Sequence, residues 1–274
     1  MRLPLCIIGA IMRLPLWLHP ARGAPLAALA RILLPASCAL CGAACDATVC
    51  AACHSQFFGQ DRPGQDRPGQ DRPRCRQCAN PLALIETGAH CGACLAAPPP
   101  FDATLVACDY AAPVDQLVLQ LKFGARLGLA PLFAALLRDA VLRRPDFVLP
   151  ALLCPVPLGP ARLAERGFNQ ALEIARPLAR ALGVLLQPRL AVRVHETQAQ
   201  SRVTPAERAR NIEHAFIVAQ EAAPLVRGRH IGIVDDVMTS GQTLGELAAT
   251  FKRFGAARVT CLAFARTPPR DFTF

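Results

Sequence analysis

Aromatic residues make up only 5% of this 274-residue chain, so composition offers few stacking platforms for single-stranded nucleic acid. No G-x-x-x-x-G-K-[ST] string occurs anywhere, which removes a P-loop nucleoside triphosphatase from the readings of any phosphate-binding turn. Long apolar runs are missing too: none reaches membrane-spanning length without a charge or a proline. The first eighteen residues imitate a secretion signal, yet Pro4, Arg13 and Pro15 interrupt the run and no clean small-residue cleavage site follows. The string M-R-L-P-L occurs at Met1 and again at Met12, which makes either residue a candidate start.

Cysteine, by contrast, is abundant and ordered. Eight of the thirteen fall into four C-x-x-C pairs: Cys38/Cys41, Cys50/Cys53, Cys75/Cys78 and Cys91/Cys94. Each pair can hold two thiolates on one side of a tetrahedral Zn²⁺, so four pairs supply two complete sites. Disulfides are the competing reading, but secreted disulfide frameworks are usually shorter chains with less regular spacing. Consecutive pairing gives Cys38, Cys41, Cys50 and Cys53 one ion and Cys75, Cys78, Cys91 and Cys94 the other; an interleaved pairing stays open. Consecutive pairing is favoured because His54 to Arg74 looks like an inserted connection, with G-Q-D-R-P three times over from Gly59 to Pro73, too polar and proline-rich to pack a core. Four thiolates leave Zn²⁺ no open position, so such sites organise loops rather than catalyse. Cys45 is a spare thiol, and Cys6, Cys108, Cys154 and Cys261 read as core residues.

The formal net charge is +10, falling to about +6 if two tetrathiolate zinc sites form. Arg138, Arg143 and Arg144, then Arg202, Arg208 and Arg210, join Arg162 and Arg166 in a balance that suits an anionic ligand and a polyanionic partner.

Residues Ile231 to Thr243 read I-G-I-V-D-D-V-M-T-S-G-Q-T. The apolar start suits a buried parallel strand, which places Asp235 and Asp236 at its carboxyl end, where open α/β sheets bind ligands. Thr239, Ser240 and Thr243 then offer hydroxyls, Gly241 admits close backbone approach, and a helix from Gln242 turns unpaired N–H groups toward the loop. Two carboxylates beside a phosphate cradle match the hydroxyls and 5-phosphate of a ribose phosphate. The competing reading of the aspartates alone is a metal ligand pair or loop caps.

The flanks fit. Leu247, Ala248, Phe251 and Phe254 recur at helical spacing up to a stop at Gly255, and Val259 to Phe264 is again a strand, so a right-handed parallel crossover is expected. Upstream, after Pro98 to Pro100, the pattern predicts a strand over Thr104 to Tyr110, helices over Leu117 to Phe123 and Gly128 to Leu142, and a buried strand over Phe147 to Leu153. That strand runs into C-P-V-P-L-G, where two prolines stiffen a strand-end loop.

The thirteen-residue string resembles the phosphoribosyl pyrophosphate (PRPP) motif of type I phosphoribosyltransferases. Together with the cysteine pairs, L-K-F near Lys122, P-V-P-L, R-G-F-N-Q from Arg166 to Gln170, T-Q-x-x-S, and R-x-x-N-x-x-x-A-F ending at Phe216, the order of pieces resembles the ComF family of phosphoribosyltransferase-like competence proteins, from about Leu33 to Ala265. The resemblance implies a type I phosphoribosyltransferase-like parallel sheet flanked by helices over 101–268. A double zinc ribbon precedes it over 33–97, with the repeat at 59–73 as an insert and 1–32 as a lead-in.

It implies PRPP with Mg²⁺ as ligand. Asp235 and Asp236 would hold the ribose, Thr239, Ser240, Gly241, Gln242 and Thr243 the 5-phosphate, and Pro157, Leu158 and Gly159 the pyrophosphate. Arg162 and Arg166 would stabilise pyrophosphate as it leaves, and Arg193 to Asn211 falls where the type I enzymes carry a mobile lid. Two functions follow. One is cytoplasmic handling of incoming single-stranded DNA at the inner face of the membrane, with a DNA-uptake helicase or channel protein as partner. The other is phosphoribosyl transfer to a nucleobase-like acceptor in nucleoside metabolism.

Overall fold

The computed structural model describes residues 37–59, 73–82, 89–194 and 215–269. Residues 1–36, 60–72, 83–88, 195–214 and 270–274 lie outside them, and with them the lead-in, the interior of the G-Q-D-R-P repeat and all of the expected lid after residue 194.

Five parallel strands form the central sheet. They are β1 (Ala103–Asp109), β2 (Leu152–Pro155), β3 (Leu185–Leu186), β6 (His230–Met238) and β7 (Arg258–Arg266), in the order β1-β7-β6-β2-β3. The two longest strands, β6 and β7, lie at the centre; β7 is buried at every position after Arg258, as a parallel strand covered on both faces must be. A separate antiparallel pair joins β4 (Ala191–Arg193) to β5 (Phe216–Val218), with Arg193 opposite Phe216.

On one face the core includes residues of α3 (Val114–Phe123), α4 (Leu129–Leu142) and α6 (Gln170–Leu182); on the other it includes the short α7 (Ala223–Val226), α8 (Gln242–Arg253) and the β4–β5 pair. Helix α6 has an apolar stripe of Ala171, Ile174, Ala175 and Leu178. Its start is fixed by Asn169, whose side chain accepts from the N–H groups of Ala171 (2.9 Å) and Leu172 (3.3 Å), and its end by Gly183 in the left-handed region. Phe133 of α4 stacks on Phe264 of β7 with ring centroids 3.6 Å apart.

One expected strand is displaced. Only Leu152–Pro155 joins the sheet, not Phe147 to Leu153, because Pro150 has no N–H for the ladder and Val148 and Leu149 stay exposed. A second boundary also moved: β6 continues through both aspartates to Met238.

The cysteine-rich segment is built as one unit used twice. In the first copy Cys38 N–H donates to Ala43 O and Gly42 N–H to Cys38 O; in the second Cys75 N–H donates to Asn80 O and Ala79 N–H to Cys75 O. Gly42 and Ala79 occupy the same left-handed position. Each copy ends in a short helix with a cysteine as N-cap: α1 (Ala51–Phe57) behind Cys50 and α2 (Gly92–Ala96) behind Cys91. The first copy packs with α3 and α4 through Cys38, Val49, Cys53 and Phe58. The second packs on the opposite side through Cys75, Cys78, Leu82 and Cys94, with Phe101, Leu244 and Met238 in the same core.

Candidate functional site

Chain connections diverge between β2 and β6. From β2 the chain passes through α5 (Pro160–Arg166) and α6 to β3 on one side, and from β6 through α8 to β7 on the other. Ligands of open α/β sheets bind at such a switch point, outside the carboxyl ends of the strands. Both predicted loops lie there. Pro157, Leu158 and Gly159 follow β2, with Val156 N–H donating to Val234 O (2.9 Å), and Thr239 to Thr243 follow β6.

The loop after β6 has the form of an anion cradle. Thr239 and Ser240 are exposed, and Gly241, Gln242 and Thr243 are half-buried. Gly241 has φ +82°, a left-handed conformation that favours glycine, while the nearest atom to a Cβ there would be the movable Met238 methyl at 2.7 Å. Behind it α8 runs twelve residues with no acidic residue in its first turn. Its leading N–H groups therefore face the loop without a competing carboxylate.

The two aspartates differ. Strand alternation puts Asp236 on the face of Val234 and Asp235 on the face of Ile233. The Asp236 side chain is 3% exposed, and its Oδ2 lies 2.7 Å from Lys122 Nζ at the end of α3. Asp235 is half-buried, and its Oδ1 accepts from the Asp236 N–H at 2.9 Å. Burial, and then the Asp236 charge beside it, hold the Asp235 carboxyl well above the usual carboxylate range, against the pull of Lys122.

Arg166 stands at the same mouth. Its guanidinium lies 5.5 Å from the centre of the Phe123 ring, and Nη1 donates to Gln170 Oε1 at 2.5 Å. Gln170 is buried, whereas Phe123 is 74% exposed. Arg166 is thus engaged by Phe123 and Gln170 rather than by either aspartate. Arg162, one turn earlier on α5, is half-buried. Of the predicted lid, Arg193 is described: it ends β4, buried, with its guanidinium 5.4 Å from the Phe216 ring.

Lys122, Gln170 and Arg266 are the residues that the motif alone did not assign. Lys122 is one of two lysines in a chain otherwise made basic by arginine, a signal that was readable. Arg266 sits at the end of β7, 5% exposed, and its guanidinium donates to four backbone carbonyls: Cys78 (3.0 Å), Met238 (2.9 Å), Thr267 (2.7 Å) and Thr239.

The cysteines gather in the consecutive order. In Cys38, Cys41, Cys50 and Cys53, and again in Cys75, Cys78, Cys91 and Cys94, all four sulfurs lie within 4.8 Å of one another. Cys41 and Cys50 sulfurs are 3.8 Å apart and Cys78 and Cys91 sulfurs 3.6 Å. Tetrahedral Zn²⁺ with Zn–S near 2.3 Å separates its sulfurs by about 3.8 Å, and none of these cysteines is in a disulfide. Charge also fits a cation. Although burial opposes it, backbone N–H groups of Cys41 and Cys50 bring Cys38 down to about 6, while burial and neighbouring cysteines push Cys53 up to about 12. In the second tetrad Cys75 falls to about 7 against the same opposition, Cys78 rises to about 11, and Cys94 is pushed up by burial and by Cys78. Four crowded thiols cannot all ionise without a positive centre, and both clusters are compatible with a double zinc ribbon.

Comparison with known proteins agrees. A family model described as phosphoribosyl transferase domain matches residues 169–271. DNA utilization protein YhgH of Salmonella typhimurium is 38% identical over 196 residues, covering 70% of this chain and 84% of that protein. Competence protein F of Haemophilus influenzae is 31% identical over 181 residues, 65% and 78% of the two chains. Among solved structures, the glutamine PRPP amidotransferase from B. subtilis complexed with ADP and GMP is 17% identical over 50% of this chain and 25% of its own, at a TM-score of 0.31, too slight a likeness to carry an argument. With its phosphoribosyltransferase-type domain, its paired cysteine tetrads and these relatives, the chain belongs to the ComF family.

Proposed function

We propose that this protein binds PRPP with Mg²⁺ and acts in the cytoplasm on incoming single-stranded DNA during competence or DNA utilisation. The observation that carries the PRPP reading is the meeting, at one switch point, of a carboxylate pair and an open glycine loop backed by a helix N-terminus. In this reading Asp235 and Asp236 accept from the ribose hydroxyls, and the N–H groups and hydroxyls of Thr239 to Thr243 take the 5-phosphate. Pro157, Leu158 and Gly159 line the pyrophosphate position.

Mg²⁺, when bound with PRPP, neutralises pyrophosphate oxygens. Asp235 fits that cation, being half-buried with a proton affinity raised by burial and then by its acidic neighbour, a condition a divalent charge relieves. Zn²⁺ is proposed for both tetrads, as a structural ion. The DNA side of the reading rests on the names of the two relatives, on a formal net charge of +10 that stays at about +6 with both zinc sites filled, and on Phe123, an exposed ring with a guanidinium alongside at the mouth of the cleft. A DNA-uptake helicase or channel protein is the partner class this role requires. No helix among the described residues is long and apolar enough to cross a membrane.

The second reading is an active transferase, favoured by the same Phe123 platform as a seat for a nucleobase. Arg162 or Arg166 would then stabilise departing pyrophosphate while the acceptor attacks the anomeric carbon. Pyrophosphate release measured with PRPP, Mg²⁺ and a panel of bases separates the two, since turnover that depends on one base supports transfer and binding without turnover supports the DNA-handling role.

A further inference from the structure

The second cysteine tetrad and the phosphate loop share one buried guanidinium. Arg266 Nε donates to the Cys78 carbonyl, inside the Cys75–Cys78 turn, while Nη1 donates to the carbonyls of Met238 and Thr239, the first residues of the loop. A trans peptide holds its C=O and the following N–H antiparallel. Carbonyls of Met238 and Thr239 drawn back onto Arg266 therefore turn the N–H groups of Thr239 and Ser240 the opposite way, which is how a loop presents donors to an anion.

Other contacts fasten the same turn. Arg74 Nη1 bonds Asp109 Oδ1 (2.9 Å) and the Ala79 carbonyl (3.1 Å). Thr104 Oγ1 donates to the Gln77 carbonyl, and Gln77 Nε2 reaches the carbonyls of Pro99 and Phe101. Phe101 and Pro100 in turn lie against Gly241 and Gly245, at the start of α8. Among the described residues Arg266 has no carboxylate ion pair; the groups beside it that gain negative charge when a metal draws off their protons are the sulfurs of Cys78 and Cys91. A zinc tetrathiolate carries a net charge of about −2, so a loaded second tetrad is the counter-ion that makes a buried guanidinium tolerable.

We propose that Arg266 is a positioning residue that makes the second cysteine tetrad part of the phosphate site: metal in Cys75, Cys78, Cys91 and Cys94 fixes the guanidinium, and the guanidinium fixes the loop that grips phosphate. The first tetrad, packed on the other face, reaches α3 through Gln120 Nε2 and the Ala39 carbonyl (3.0 Å) and, among the described residues, has no hydrogen bond to the phosphate loop or to Arg266. The inference rests on the PRPP reading and adds to it that PRPP and one of two metal ions bind with mutual reinforcement, since coupling between two sites is reciprocal.

The test uses the full zinc-loaded chain. Zinc release to a chromogenic chelator is followed with and without saturating Mg²⁺ and PRPP, and alkylation mapped by mass spectrometry reports which cysteines open. The expected result is that PRPP slows release at the second tetrad by about tenfold, in line with ordinary coupling energies, and leaves the first tetrad unchanged. Arg266→Lys keeps the charge but lacks the planar fork; it is expected to retain two zinc ions, weaken PRPP about tenfold and lose the selective protection. PRPP binding that slows release at neither tetrad, or at both alike, overturns the coupling while leaving the PRPP reading intact, as does an Arg266→Lys chain with unchanged PRPP affinity. A wild-type chain that binds no PRPP overturns both. Should Arg266→Lys fail to fold, the wild-type release pattern decides alone.

Discussion

Replacing Lys122 with methionine removes the cation from a pair whose acid is almost wholly enclosed. Asp236 is 3% exposed at the side chain and Lys122 23%, with 2.7 Å between Nζ and Oδ2. Stranding one member of a buried pair costs about 3–5 kcal/mol; because Lys122 reaches the edge of the cleft, the lower end, about 3 kcal/mol, applies. For a domain of this size that corresponds to a melting point lower by roughly 6–12 °C. Asp236→Asn should cost a comparable amount. The double variant Lys122→Met with Asp236→Asn removes both charges and should recover about 2 kcal/mol relative to the sum of the singles. Melting curves of the four zinc-loaded proteins at one pH supply the cycle. PRPP titration of the same proteins supplies a second readout: both singles should bind at least tenfold more weakly, because Lys122 orients the carboxylate that accepts a ribose hydroxyl. A Lys122→Met protein that melts within 2 °C of wild type, with PRPP affinity unchanged, would refute the argument that this pair belongs to the site.

Four further outcomes are expected. Asp235 is held above the usual carboxylate range by burial and by Asp236, and a carboxylate acceptor must be ionised. PRPP affinity should therefore rise as pH climbs through that raised pKa, and Asp235→Asn should flatten the profile; calorimetry across pH 5 to 8 checks both. Gly241→Ala places a Cβ in the left-handed region against Met238 and should cost about 1–2 kcal/mol of stability, together with measurable loss of PRPP binding. Phe123→Ala should leave PRPP affinity and zinc content unchanged while weakening the bound base, in DNA or as acceptor, by about 1–3 kcal/mol, read by fluorescence anisotropy with a labelled oligonucleotide. Metal analysis should return two zinc ions per chain, and Asp235→Asn with Asp236→Asn should abolish PRPP binding without changing that number.

Much of the candidate site's layout was legible because the relevant signals are local. The thirteen residues from Ile231 to Thr243 carry a strand, two acids, a glycine turn and a helix start in one string, and the structure keeps them in that order. Even there the strand ran longer than periodicity suggested, since a carboxylate such as Asp236 reads as a terminus until a partner such as Lys122, from a distant helix, makes its burial possible. Phe147 to Leu149 show the converse: apolar residues read as a buried strand although the chain leaves Val148 and Leu149 in solvent ahead of Pro150. Cysteine spacing revealed four knuckles but left the grouping open, because nothing in the order of the pairs encodes that each unit repeats the same two hydrogen bonds. Arg266 was invisible in a different way. An arginine ending a strand looks like any surface cation, and only three-dimensional packing brings the carbonyls of Cys78, Met238 and Thr239 around it.

Calorimetric titration of the zinc-loaded chain with PRPP in the presence of Mg²⁺ decides whether the carboxylate pair and the loop after β6 hold this ligand. Saturable binding of one PRPP per chain is expected, lost in the Asp235→Asn with Asp236→Asn protein while both zinc ions remain. No heat of binding from a folded, fully metal-loaded chain, or equal binding by the double variant, would contradict it.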